Sequence, residues 1–151
     1  MGNLNRFSRR RAHEVRIGNV VVGGDNPIAI QSMTNTPTAD VEQTVAQTVR
    51  IAAAGAPIVR LTAQGRKEGE ALAAIMNRLR EERCPAAIVA DIHFTPEIAM
   101  IAAEVVDKVR INPGNYRTSG GELEALIEKC RKRGVALRIG VNHGSLAKHI
   151  I

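Results

Sequence analysis

Three arginines stand inside otherwise apolar runs: Arg60 in Ile58-Val-Arg-Leu-Thr62, Arg110 in Lys108-Val-Arg-Ile111, and Arg138 in Val135-Ala-Leu-Arg-Ile-Gly-Val141. A guanidinium presents a planar fork of donors matched to phosphate and carboxylate oxygens, and it is costly among apolar neighbours unless something compensates it. An anionic ligand explains all three. The competing explanation is structural ion pairing, with Asp91 or with Glu104 and Asp107. Asn112, Asn142 and Ser145 add neutral donors near the same positions, and a diphosphate is the ligand the set fits best. Asp91-Ile-His93 puts a carboxylate and an imidazole on one face of an extended chain, a pair able to move a proton or orient a ligand hydroxyl. A histidine that merely bonds a neighbouring strand end has the same spacing. Asn142-His-Gly-Ser145 offers amides at a helix start, where anions bind well.

The elements that must position these residues follow from periodicity. Apolar runs rich in Ile and Val (27–33, 58–62, 87–91, 108–111, 135–141) alternate with Ala- and Glu-rich segments at helical spacing. Strand starts at Ile28, Ile58, Ala87, Lys108 and Val135 lie 30, 29, 21 and 27 residues apart, close to a βαβ repeat. Helices are predicted from Asp40 to the Gly55 region, over 66–83 ahead of Pro85, from Thr95-Pro96, and over 122–133 ahead of Gly134, with Ser145 capping a fifth. Glu14 to Gly23, folded around Gly18-Asn19, is a hairpin. Gly23-Gly24-Asp25-Asn26-Pro27 precedes a strand and is a turn rather than a phosphate loop.

Polar residues recur with period two at the end of every strand: Gln31 and Met33, then Arg60, Thr62 and Gln64, then Asp91 and His93, then Arg110 and Asn112, then Arg138 and Asn142. An open doubly wound sheet gathers ligands at one crevice, whereas a barrel draws on every strand end. The expected fold is therefore α/β: a partial (β/α)8 TIM-type barrel of about five βα units preceded by an N-terminal β-hairpin. Residues 1–13 form a basic tail and 14–151 the barrel part. The first and fifth strands become unpaired edges. A fragment of a longer polypeptide is expected, one that dimerises or aggregates.

Composition narrows the class. The chain has 151 residues with 21 Lys+Arg, 15 Asp+Glu and a net charge of +6, with 44% hydrophobic and 24% charged residues, as in a globular domain. Its longest uncharged apolar stretch is broken by Gly55 and Pro57, so no membrane partner is expected, and without a secretory signal the default address is cytoplasmic. The basic run Ser8 to Arg11 attracts polyanions, but aromatics to stack bases are nearly absent and nucleic acid is not the expected partner. Cys84 and Cys130 form no CxxC pair, so both are read as core or helix-end thiols and no metal site is expected.

Five blocks carry a resemblance: Gln31-Ser-Met-Thr-Asn-Thr-Pro-Thr-Ala-Asp40, Val59-Arg-Leu-Thr-Ala-Gln-Gly65, Ala90-Asp-Ile-His-Phe-Thr-Pro96, Asp107-Lys-Val-Arg-Ile-Asn-Pro-Gly-Asn115 and Leu137-Arg-Ile-Gly-Val-Asn-His-Gly-Ser145. From about Val15 to Leu146 the chain resembles the N-terminal half-barrel of the 4-hydroxy-3-methylbut-2-enyl diphosphate synthases. The resemblance implies an iron–sulfur oxidoreductase of the non-mevalonate isoprenoid pathway, fed by flavodoxin or ferredoxin. Such an enzyme opens the cyclic diphosphate 2-C-methyl-D-erythritol 2,4-cyclodiphosphate. It also implies a homodimer, and a [4Fe-4S] cluster whose ligands, three Cys and one Glu of a separate domain, are not in this chain. None is then expected bound to the fragment, which would be inactive alone. By position, Arg60, Arg110, Arg138, Asn142 and Ser145 would bind the diphosphate, with Asp91, His93 and Asn112 near the ring. The longer family members imply extra residues after Tyr116, where only Arg117 to Gly121 intervene here. Two rivals remain: a pterin- or phosphate-binding barrel synthase related by fold alone, and a basic RNA-binding or assembly module.

Overall fold

A computed structural model describes residues 10–114 and 120–145. Strands β1 (Val15–Ile17) and β2 (Val20–Val22) pair antiparallel across the two-residue turn Gly18-Asn19. Gly18 takes φ 56°, a left-handed conformation that costs a glycine little. The Asn19 side chain donates to the Pro85 carbonyl at 3.0 Å and ties the hairpin to the rest of the fold.

Five parallel strands follow: β3 (Gln31–Met33), β4 (Ile58–Thr62), β5 (Ala87–Ile92), β6 (Lys108–Ile111) and β7 (Ala136–Ile139). They alternate with α1 (Val41–Ala53), α2 (Arg66–Glu81), α3 (Pro96–Ala102) and α4 (Glu122–Arg133), and a 3₁₀ turn, His143–Ser145, follows β7. The ends are set by local chemistry. The Asp40 carboxylate accepts from the Gln43 amide at 3.1 Å at the start of α1, and Glu68 accepts from the Gly65 amide at 3.1 Å at the start of α2. Pro96 sits in the first turn of α3, where its missing N–H is not needed. Gly134 ends α4 in the left-handed region at φ 68°.

The strands lie in chain order, β3-β4-β5-β6-β7, with no reversal. Right-handed crossovers in consecutive order put every helix on the same side of the sheet, so these strands form barrel wall rather than a doubly wound sheet. On the helix side, Val59, Leu61, Ile88, Ala90, Ile92, Val109 and Ile111 pack against Leu72, Ile75, Ile98, Ala99 and Leu126, all 2% exposed or less. Among the described residues no helix packs on the other face. At its base the hairpin residue Ile17 packs on Ile58, Ala87, Val89 and Ala136, a second, smaller core that floors the barrel.

Two strands are shorter than the apolar runs. The first run forms strand only over Gln31–Met33, leaving Ile28 85% and Ile30 64% exposed. Pro27 has no N–H to pair, and the far side of β3 meets no described strand. The last run forms strand over Ala136–Ile139, and Val141 lies exposed beyond it. Among the described residues β3 and β7 are edges, as expected. The expected fifth helix after Ser145, the tail up to residue 9 and the link at 115–119 lie outside the described residues.

Candidate functional site

Alternation along each strand sends one set of side chains to the helix-free face. On β3 these are Gln31 and Met33. On β4 they are Ile58, Arg60 and Thr62, on β5 Ala87, Val89 and Asp91, on β6 Lys108 and Arg110, and on β7 Ala136 and Arg138. His93, Asn112 and Gly140 continue the same parity just past their strands. The face is therefore apolar at the hairpin end and charged toward the C-terminal ends of the strands.

Asp91 is the hub. Its side chain is buried at 3% exposure, and the carboxylate accepts from Arg110 Nη1 at 2.9 Å, while Arg60 Nε lies 3.4 Å from its other oxygen. Arg110 also donates through Nη2 to the Gly140 carbonyl at 3.2 Å. Arg60 Nη2 points at the Met33 sulfur, 3.1 Å away, and Arg60 Nε is buried without a hydrogen bond. The register pairs Asp91 with Arg110 and Arg110 with Arg138, so the three lie side by side. Arg138 is exposed and has no ion-pair partner among the described residues.

Structural pairing thus accounts for part of the arginine set. Asp91 engages two of the three, but Glu104 is taken by Lys129 and, at 3.1 Å, by Arg133. The Asp107 carboxylate accepts from the Ile88 amide at 2.7 Å. Neither carboxylate serves the arginines.

His93 sits on the same face, its Nε2 4.0 Å from Asp91, too far for a hydrogen bond, and its Nδ1 is buried without a partner. Buried polar atoms of this kind normally have partners, and Nδ1 has none among the described residues. Asn112, 2% exposed, accepts from the Gly114 amide at 3.2 Å and shapes the turn after β6. Asn142 and Ser145 close the turn after β7: Ser145 Oγ bonds both the Asn142 amide and its carbonyl at 3.0 Å. A Cβ on Gly114 would lie 1.7 Å from the Ser145 carbonyl oxygen, so these two turns touch and only glycine permits it. All eight predicted residues therefore lie on the helix-free face or in the turns at its C-terminal rim. Arg60 and Arg110 contact Asp91, Arg138 lies beside Arg110 on the next strand, and Asn112, Asn142 and Ser145 bond mainly within their own turns.

One residue escaped the sequence reading. Lys108 shares the parity of Arg110 and Asn112, the signal that could have found it, yet it marks only a strand start in the apolar pattern. It is 8% exposed and its ammonium donates to Gln31 Oε1 at 3.3 Å. Burial first, then the neighbouring Arg138 and Arg60, hold its pKa below the usual lysine range. With Lys108 included, four cations face one carboxylate, an excess of three positive charges.

Cys130 is 3% exposed on α4, where burial pushes its pKa up, and Cys84 is half-buried beyond α2. Among the described residues no group of three His, Cys, Asp or Glu could hold a metal ion, and no helix is long and apolar enough to cross a membrane.

Known proteins similar to this chain share its sequence or its fold. The 4-hydroxy-3-methylbut-2-en-1-yl diphosphate synthase (flavodoxin) of Bacteroides fragilis strain YCH46 is 46% identical over 170 residues, covering 99% of this chain and 27% of that protein. The corresponding protein of Chlamydia caviae is 46% identical over 95% of this chain and 27% of its own length. The chloroplastic ferredoxin form of Oryza sativa subsp. japonica is 42% identical over 95% and 22%. The chain thus spans about a quarter of the length of these relatives. With the Bacteroides protein about 149 residues of this chain (99% of 151) align over 170 positions, so that relative carries about 20 residues with no counterpart here. Among solved structures, a dihydropteroate synthase of Xanthomonas albilineans superposes with a TM-score of 0.57 at 16% identity, over 83% of this chain and 48% of that one. This likeness is one of fold alone. The GcpE TIM-barrel domain matches residues 12–151, beginning just ahead of the hairpin, and the chain belongs to that family.

Proposed function

We propose that the helix-free face is the substrate-binding wall of a reductase that opens 2-C-methyl-D-erythritol 2,4-cyclodiphosphate to 4-hydroxy-3-methylbut-2-enyl diphosphate. The observation that carries this reading is the excess of positive charge: four cations around one buried carboxylate on one face of the sheet call for a polyanion. Asp91 holds Arg110 and Arg60 in place, and Arg138, unpaired among the described residues, is the freest to grip a phosphoryl oxygen. His93, with Nδ1 unused, and Asn112 lie where the ring hydroxyls would rest. The names of the relatives specify flavodoxin or ferredoxin, and we assign an electron carrier of that class here. Cys84 and Cys130 are two thiols, fewer than the roughly four ligands an iron–sulfur cluster takes, so the residues of this chain do not fit one. The open edges β3 and β7, with Ile28, Ile30, Ile139 and Val141 exposed beside them, support pairing with further barrel wall or with a second copy.

The test is affinity for the cyclic diphosphate by calorimetry. Arg138→Ala should weaken binding about tenfold or more, the loss of one charge-assisted contact of roughly 1.5–3 kcal/mol. Unchanged affinity in Arg138→Ala and in Arg60→Ala would remove the reading.

A further inference from the structure

We propose that Lys108 is the counter-charge for the third negative charge that appears when a cyclic diphosphate is opened on this face. The inference rests on the proposed function and goes beyond it to a residue that the arginine pattern did not include. Opening the ring turns a dianion into a trianion. A carbon–oxygen bond breaks, the oxygen keeps the bonding pair, and it becomes a free phosphoryl oxygen carrying the new charge. Two electrons from a carrier of the flavodoxin or ferredoxin class go to that carbon. The pair then expels a neighbouring hydroxyl, which takes one proton and leaves as water, and a double bond forms. Two electrons and one proton enter, and water and a linear diphosphate trianion leave.

The charges on the face match these two states. Asp91 neutralises one of its two arginines, so Arg60, Arg110 and Arg138 together present two net positive charges, equal to the dianion. Lys108 supplies the third. Its ammonium has one hydrogen bond, at 3.3 Å to the neutral amide of Gln31, no carboxylate partner among the described residues, and two N–H groups to spare. The polar and charged groups facing it across the barrel interior are Gln31 of β3, Arg60 of β4, Asp91 and His93 at the end of β5, Arg110 on its own strand and Arg138 of β7. Val89 and Ala136 flank it in register and Ala87 lies on the same face, an apolar surround against which a leucine or methionine would pack without the cost of a buried cation. Burial and two guanidinium neighbours depress the pKa of Lys108, so arrival of negative charge favours its protonated form.

The chain, its Lys108→Met, Lys108→Gln and Lys108→Arg variants, and Arg138→Ala are titrated calorimetrically with two probes, the cyclic diphosphate and methyl diphosphate. The titrations run at about pH 8.5, well above the second phosphate ionisation near 6. Lys108→Met should weaken methyl diphosphate binding about tenfold and cyclic diphosphate binding by less than about threefold, as expected for one charge-assisted contact made mainly to the trianion. Lys108→Gln repeats the pattern if the methionine variant does not fold. Lys108→Arg, which keeps the charge, should bind methyl diphosphate within about threefold of the parent. Equal losses for both probes in Lys108→Met, or no loss for either, would overturn the proposal while Arg138→Ala still weakens both. If Arg138→Ala weakens neither, the binding-wall reading itself fails and takes the inference with it.

Discussion

Replacing Asp91 by asparagine separates the two roles of the charged face, because the same change should weaken the fold and strengthen the hold on anions. The carboxylate is 3% exposed at its side chain, with Arg110 at 2.9 Å and Arg60 at 3.4 Å, their side chains 17% and 28% exposed. Removing one member of a buried pair costs about 3–5 kcal/mol. Asparagine keeps an acceptor for Arg110 Nη1, and both guanidinium groups reach water, so the expected loss is smaller, about 2–3 kcal/mol. The excess of positive charge rises from three to four. Affinity for inorganic pyrophosphate should then rise about fivefold or more at low salt, where screening is weakest. Urea unfolding at low ionic strength, with and without pyrophosphate, reads both effects. A ligand at 100 times its Kd adds about 2.7 kcal/mol, enough to restore the lost stability. A variant within about 0.5 kcal/mol of the parent, a size ordinary for surface changes, would refute the reasoning. So would pyrophosphate that stabilises the parent and not the variant.

Three other outcomes follow from the geometry. Ile17→Ala empties the floor beneath Ile58, Ala87, Val89 and Ala136 and should cost about 2–4 kcal/mol in urea unfolding. Gly140→Ala would place a Cβ 2.6 Å from Arg110 Nε, swinging that guanidinium off Asp91, so pyrophosphate affinity should fall while far-UV circular dichroism stays that of the parent. Because the folded-state pKa of Lys108 is lowered, the unfolded chain binds more protons between that value and the ordinary lysine value of about 10.4, and stability rises with pH across that window. Lys108→Met should remove this alkaline rise in thermal unfolding monitored against pH, and a rise of the same size in the variant would contradict the assignment.

The face was legible because strand parity survives in sequence. Arg60, Asp91, Arg110 and Arg138 sit at matching phases of four apolar runs, and parallel pairing turns matching phase into neighbourhood. Chain-order pairing of the strands was also within reach, since spacings near 30 residues leave room for one helix each. Partner choice was not. That Asp91 rather than Glu104 or Asp107 serves the arginines depends on where α4 places Lys129 and Arg133 beside Glu104 and on the bond from the Ile88 amide to Asp107, long-range outcomes that no local pattern encodes. The apolar run 27–33 overstates β3, because such a run does not record whether a pairing partner stands on its far side. Lys108 was passed over because a lysine at the start of a strand is usually solvated. It becomes buried only when β5 and β7 pair on either side of it and Gln31 of β3 reaches its ammonium.

The central claim is tested most directly by the guanidinium NMR signals of the chain, labelled at arginine Nε, during titration with inorganic pyrophosphate. The signals of Arg60, Arg110 and Arg138 should shift together and saturate at one affinity, while those of Arg66, Arg78 and Arg131, which pair with glutamates on the outer helices, stay in place. Shifts spread evenly over inner and outer arginines, or confined to the outer ones, would contradict a diphosphate wall built on the helix-free face.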